Sequence, residues 1–228
     1  MVDFNVPLVT FGCSWTQCYV NQKDPNSSTT GEETIGRVLS HKLGCSQFVN
    51  MGIEGASNSR AVLQLLDYVK RKDISIKNSI AVFLLTAKER DCVILDSYLK
   101  NKETVLDIRS GSDHPAAVAH HKYFNSLVNH DFHLHKNLLA MQSICKASGI
   151  RDYYIGTWHD DTFDFFGVNM TKIYPKSCIQ ILGYRNHYDY GTNYPGPFVL
   201  ECGHPNRVGN EIIANTLYEW IASAQPSN

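Results

Sequence analysis

Apolar and polar positions along the chain switch between a strand-like and a helix-like period. Leu8-Val9-Thr10-Phe11, closed by Gly12, is a short apolar and β-branched run that predicts a buried first strand. The polar stretch 21–34 reads as a surface loop, and a helix from about Thr34 to Leu43 follows, stopped by Gly44. Gln47 to Met51 predicts a second strand. After a turn bracketed by Gly52 and Gly55, Ser57 or Asn58 can cap an amphipathic helix marked by Ala61, Leu63, Leu65, Leu66 and Val69. That helix runs into Lys70-Arg71-Lys72, where positive charge suits a helix C-terminus. Ser79 to Leu85, with Ile-Ala-Val-Phe-Leu-Leu unbroken, predicts a central strand apolar on both faces, as a parallel sheet covered by helices requires.

From Asp91 to about residue 118 the pattern degrades and reads as an insertion. Phe124, Leu127, Val128, Phe132, Leu134, Leu138, Leu139, Met141, Ile144 and Cys145 then predict one long helix ending at Gly149, followed by a fourth strand at Tyr153-Tyr154-Ile155-Gly156. Residues 159–200 are a second insertion with room for only a short fifth strand, and a last helix follows Pro205. Strand–helix alternation with short turns and no internal repeat predicts a single domain over 1–228. Its fold class is α/β, a three-layer αβα sandwich around a doubly wound, flavodoxin-like, mostly parallel sheet of about five strands.

Composition narrows the function. In 228 residues, 21 Lys and Arg stand against 22 Asp and Glu, and this balance offers no general attraction for nucleic acid or an anionic bilayer. No apolar run approaches the roughly 20 residues that span a membrane, and the N-terminus lacks the form of a signal peptide, so the expected location is the cytoplasm. Seven cysteines without a C-x-x-C pair read as reduced, mostly buried thiols, and no zinc-finger spacing is present. Neither a cofactor nor a metal is expected.

Three segments combine residue types suited to acyl transfer. In Phe11-Gly12-Cys13-Ser14-Trp15-Thr16 a serine follows a strand beside glycine, where its hydroxyl can project into a crevice. Alone, it reads sooner as a turn serine capping a nearby amide. In Asn50-Met51-Gly52-Ile53-Glu54-Gly55-Ala56-Ser57-Asn58 the glycines let backbone N–H groups approach an oxyanion and Asn58 adds a side-chain donor, or they form only a turn. In Glu201-Cys202-Gly203-His204-Pro205-Asn206 a carboxylate three residues before a histidine can hold its Nδ1 proton and leave Nε2 as base. His-Pro-Asn could instead simply start a helix.

Taken together, order and spacing resemble the SGNH, or GDSL-type, hydrolases from residue 8 to about 222. Phe11-Gly12-Cys13-Ser14 resembles the nucleophile block, Gly52 to Ser57 the oxyanion block, and Glu201 to Asn206 the acid–base block. The resemblance implies Ser14 as nucleophile, the Ser14 and Gly55 amides in the oxyanion hole, His204 as base and Glu201 as its orienting acid. Three positions depart from the family pattern. Cys13 stands where an aspartate is usual, Glu201 replaces an aspartate, and Leu85-Thr86-Ala87-Lys88-Glu89-Arg90 stands where Gly-x-Asn is expected. Thr86, Arg90 or Asn58 are candidates for the third donor, and Arg90 would favour an anionic substrate or transition state. The Gly-Cys-Ser block also resembles bacterial and bacteriophage members of the superfamily, which leaves a virion-associated role open. Of Cys13 and Ser14 only one can face the base, and the family register selects Ser14.

The resemblance implies a serine esterase acting on a small-molecule or carbohydrate ester, such as an O-acetyl group. The alternative is a binding or structural module that keeps the fold with weak chemistry, motivated by the altered third block. His130, His133 and His135 lack a full metal-ligand pattern. His159, after the fourth strand, lines the cleft or a solvated loop. Tyr184, Tyr188, Tyr190 and Tyr194 form an aromatic wall for a sugar ring or pack a long loop.

Overall fold

The computed structural model describes residues 4–17, 33–71, 76–94, 105–108, 113–124, 126–158, 165–193, 196–200 and 203–224. Its elements run β1 (Pro7–Gly12), α1 (Ile35–Leu43), β2 (Gln47–Asn50), α2 (Asn58–Val69), β3 (Ile80–Leu85), β4 (Asp91–Ile94), β5 (Val105–Ile108), α3 (Pro115–Phe124), α4 (Leu127–Ser148), β6 (Arg151–Gly156), a 3₁₀ turn (Met170–Lys172), α5 (Cys178–Ile181), α6 (His187–Asn193) and α7 (Arg207–Ser223). The main sheet has the order β2-β1-β3-β6 and every pairing in it is parallel.

The unbroken apolar run of β3 resolves into two faces. Ile80, Val82 and Leu84 join Leu8 and Ile155 in a core closed by Ile35, Leu39 and Leu43 of α1 and Ile213, Leu217 and Ile221 of α7. Ala81, Phe83 and Leu85 join Val9, Phe11 and Tyr154 in a second core closed by Leu65 and Tyr68 of α2 and Leu134, Leu138, Met141 and Cys145 of α4. Side chains alternate across a strand, so a strand between two helical layers must be apolar at both parities. On the second face Phe11, Phe83 and Tyr154 stack across three strands, with ring centroids 4.7 and 4.8 Å apart.

The helix boundaries follow the capping chemistry. Thr34, Ser57, Ser126 and Asn206 each accept a backbone N–H in the first turn of α1, α2, α4 and α7, and Gly44 and Gly149 end α1 and α4 in the left-handed conformation.

Two expectations are corrected. The fifth strand shrinks to a single parallel bridge between Tyr154 and Ile173, which keeps the flavodoxin-like order of the sheet. The long helix predicted from Phe124 to Gly149 is α4, which starts three residues later at Leu127 because Phe124 ends the separate helix α3, and its N-terminal apolar residues face solvent, with Leu127 72% and Val128 79% exposed. Within 91–118, β4 and β5 pair antiparallel as a separate two-stranded sheet.

The Asp91 carboxylate fastens that small sheet to the body. Asp91 Oδ1 accepts from Ser59 Oγ at 2.6 Å and from the Cys92 N–H at 2.8 Å. Its Oδ2 lies 2.8 Å from His133 Nδ1 of α4 and 3.5 Å from His120 Nε2 of α3. Ser59 Oγ in turn accepts from Asn137 Nδ2 at 3.0 Å. Burial holds the His133 pKa below the ordinary histidine value, with Asp91 pulling upward and Lys136, His120 and His130 pulling down.

Two stability outcomes follow from these contacts. Leu138→Ala lowers the unfolding free energy by about 2–5 kcal/mol, whereas Val128→Ala changes it by less than about 0.5 kcal/mol, both read from urea denaturation. Because His133 resists protonation in the folded state, the unfolded chain binds more protons below about pH 6.5, and stability is lost as the pH falls through that region. The thermal midpoint therefore drops between about pH 7.5 and about pH 5.5, and His133→Gln flattens the drop; parallel profiles for the two proteins would count against it.

Candidate active site

At the C-terminal edge of the parallel sheet, the turns leaving β1 and β2 are sewn together. After β1 the chain folds into a tight turn in which the Thr16 N–H and Oγ1–H both donate to Cys13 O, at 3.0 and 2.6 Å. At the end of β2, Asn50 Nδ2 donates to Thr16 O at 2.5 Å, while its Oδ1 accepts from the Gly52 N–H at 2.9 Å and from Thr10 Oγ1 at 3.3 Å. Gln17 Nε2 donates to Gly52 O at 2.7 Å, and the Ile53 N–H donates to Gly12 O at 3.0 Å. The two turns pack so closely that a Cβ on Gly52 would lie 1.6 Å from Thr16 Oγ1, so the position requires glycine.

This turn fixes the direction of its two central side chains. Cys13 is fully buried in the core between the sheet and α1 and α7, while Ser14 is half-buried at the edge. Ser14 Oγ lies 2.8 Å from His204 Nε2, a hydrogen bond between residues 190 positions apart.

His204 is held by a loop as constrained as that of Ser14. The Leu200 N–H donates to His204 O at 2.8 Å and the Gly203 N–H to Leu200 O at 2.9 Å, closing a narrow hairpin beside the Val199–Pro205 bridge. Tyr190 Oη donates to Gly203 O at 2.5 Å. Below the hairpin, Asn206 caps α7 by accepting the Gly209 N–H and donating to Pro197 O at 2.9 Å. Trp15, Trp158, Tyr184 and Tyr190 pack mainly edge to face under this loop, with centroid separations from 4.9 to 6.3 Å. Tyr184 and Tyr190 thus pack the loop that carries His204, whereas Tyr188 is exposed.

Gly55 is buried with φ +72°, a backbone conformation that favours glycine. Its N–H and that of Ser14 donate to no acceptor among the described residues. Asn58 caps the turn differently from a free donor: its Oδ1 accepts the Thr86 N–H at 2.9 Å and its Nδ2 donates to Thr86 O at 3.0 Å. One Nδ2 hydrogen is all that remains of the carboxamide for another acceptor. Thr86 is buried, and its Oγ1 accepts from Arg90 Nη1 at 3.1 Å. Glu201, His159 and Tyr194 lie outside the described residues.

Asn50, Gln17 and Tyr190, which orient the loops, carry no readable motif in the sequence; an asparagine at a strand end facing a glycine is the nearest thing to a signal. The cysteines at 13, 45, 92, 145 and 178 are free, and burial pushes the Cys45 and Cys92 thiols up to about 11. Among the described residues no group of three or more His, Cys, Asp or Glu is arranged to hold a metal ion, and no helix is long and apolar enough to cross a membrane.

No protein-family model matches the sequence, and no curated protein matches it. Solved structures do. The chain superposes on TesA with a TM-score of 0.50 at 12% identity, over 95% of this chain and 98% of that one. A lipolytic protein of the G-D-S-L family from Veillonella parvula gives 0.49 at 14% identity, over 93% and 96%. YxiM from Bacillus subtilis gives 0.48 at 15% identity over 96% of this chain, which spans only 56% of that protein. At these identities the likeness is one of fold. The chain has the α/β fold of the SGNH hydrolases.

Proposed function

We propose that this protein is a serine acyl hydrolase of the SGNH type that cleaves a small ester, with an O-acetyl carbohydrate among the candidate substrates. The observation that carries the reading is the 2.8 Å contact between Ser14 Oγ and His204 Nε2. In the tautomer with the proton on Nδ1, Nε2 accepts the Ser14 hydroxyl hydrogen and takes that proton as Oγ attacks the ester carbonyl carbon. The amides of Ser14 and Gly55, which have no other acceptor among the described residues, receive the developing oxyanion. His204 then protonates the departing alcohol, and water, deprotonated by the same imidazole, releases the acyl group from Ser14. Glu201, three residues before His204, is assigned to orient and stabilise the imidazolium, and the hydrogen bond from the Leu200 N–H to His204 O, which draws Leu200 to His204, supports that assignment.

The aromatic cluster under the His204 loop supports the same reading. A base that must exchange protons with a serine at fixed distance needs a rigid platform, and a buried Tyr190 hydroxyl on the carbonyl preceding His204 supplies one. Neutral imidazole is required, so activity falls as the pH drops and His204 becomes cationic.

Ser14→Ala and His204→Ala each lower kcat on p-nitrophenyl acetate by about 10⁴–10⁶, because cooperating members of such a triad act as a unit. Wild-type protein takes up a fluorophosphonate stoichiometrically at Ser14, located by mass spectrometry of the labelled peptide. Near-wild-type turnover by Ser14→Ala would end the assignment, and failure of the wild type to label would favour a binding module on the same fold.

A further inference from the structure

The loop after β3 and the first residue of β4 carry four consecutive charged residues, Lys88-Glu89-Arg90-Asp91, and the structure sorts them sharply. Lys88 Nζ donates to Asp131 Oδ1 at 2.9 Å. Glu89 is exposed. Asp91 has both oxygens engaged by Ser59, the Cys92 N–H, His133 and His120. Of the four, Arg90 alone is half-buried without a counter-charge among the described residues. A turn closed by the Arg90 N–H on Ala87 O at 3.1 Å folds it back onto Thr86, where Nη1 donates to a neutral hydroxyl. The other guanidinium hydrogens meet no acceptor among the described residues, and no carboxylate there pairs with it.

Arg90 is also held on the loop that leaves the strand next to the one carrying Ser14. β1 and β3 are adjacent with Gly12 opposite Leu84, so the Ser14 turn and Thr86 leave the sheet side by side at one edge. Two hydrogen bonds from Asn58 lock Thr86, and Thr86 holds Arg90. The guanidinium is held at the surface of the site with N–H groups to spare, and its planar fork fits a carboxylate through two parallel hydrogen bonds. One cation suits a monoanion. Lys88, two residues before Arg90, is already paired with Asp131.

We propose that Arg90 is the specificity determinant of this site and binds a carboxylate carried by the ester substrate, next to the bond that is cleaved. This inference rests on the reading of Ser14 and His204 as a hydrolytic pair. It makes the protein an esterase for acidic esters, with the carboxylate on either the acyl or the alcohol portion.

The test uses matched ester pairs on purified full-length protein. p-Acetoxybenzoate is compared with its methyl ester, and p-nitrophenyl hydrogen succinate with its methyl ester. Wild-type enzyme favours the carboxylate form of at least one pair by about 10- to 100-fold in kcat/KM, mostly through KM, as expected for a charge-assisted contact. Arg90→Gln abolishes the preference and Arg90→Lys keeps part of it. Absence of any wild-type preference overturns the proposal, and so does an equal loss on charged and neutral esters in Arg90→Gln, which would make Arg90 an oxyanion donor or a structural residue. If no ester is hydrolysed and Ser14 takes no fluorophosphonate, the hydrolase reading has failed by itself. Calorimetric titration with p-hydroxybenzoate and succinate then decides the Arg90 question: saturable binding lost in Arg90→Gln supports it, and no binding to wild type overturns it.

Discussion

A hydrogen bond between side chains 190 positions apart persists only if each partner is fixed before they meet, because a floppy loop at either end would lose more conformational entropy than the bond returns. Both ends here are fixed by hydrogen bonds to their backbone. Ser14 sits in a turn pinned to the β2 exit through Asn50, Gln17 and the main-chain bond from Ile53 to Gly12. His204 sits in a hairpin closed by its own carbonyl and braced by Tyr190 and Asn206. The parallel sheet makes this feasible by bringing every strand exit to a single edge, so that only short loops need be made rigid.

The same logic explains which parts of the fold were legible in the sequence. β3 could be read because a strand covered on both faces must be apolar at every position, and α1 because Thr34 and Gly44 mark its ends chemically. The fifth strand could not be read, since one bridge between Tyr154 and Ile173 leaves no periodicity to detect. The break between α3 and α4 was hidden by apolar residues continuing through it, although Ser126, whose side chain accepts the Asn129 N–H, was a cap in plain view. Burial misled there, because an apolar residue at helical spacing is not evidence of a buried one.

For the candidate site, spacing and glycine content located the segments, and the geometry supplied what spacing cannot. Whether Cys13 or Ser14 faces the edge is a question of turn conformation, and the buried Cys13 answers it for its neighbour. The pairing of Asp91 with His133 and His120 was out of reach, because no local pattern links a short strand to helices that follow it by some 30 to 40 residues. Asn58 was read as a free donor at a helix start; its carboxamide instead replaces the missing main-chain partners of Thr86, which has left the ladder of β3.

The length of α4 connects these observations. Its 22 residues extend about 33 Å, whereas the six residues of β6 that follow it cover about 20 Å, and the two run in opposite directions. The helix therefore overshoots the sheet at its own N-terminal end, which is the edge that carries Ser14. Leu134, Leu138, Met141 and Cys145 are buried on the sheet, while the overshooting turns offer Asp131 to Lys88 and His133 to Asp91. Solvent exposure of Leu127 and Val128 is the consequence of building a buttress beyond the core. That buttress holds the loop after β3 from outside while Asn58 holds it from inside. Arg90, lying between the two supports, is positioned by contacts that leave its charge without a carboxylate partner among the described residues and its fork open to an anionic ligand.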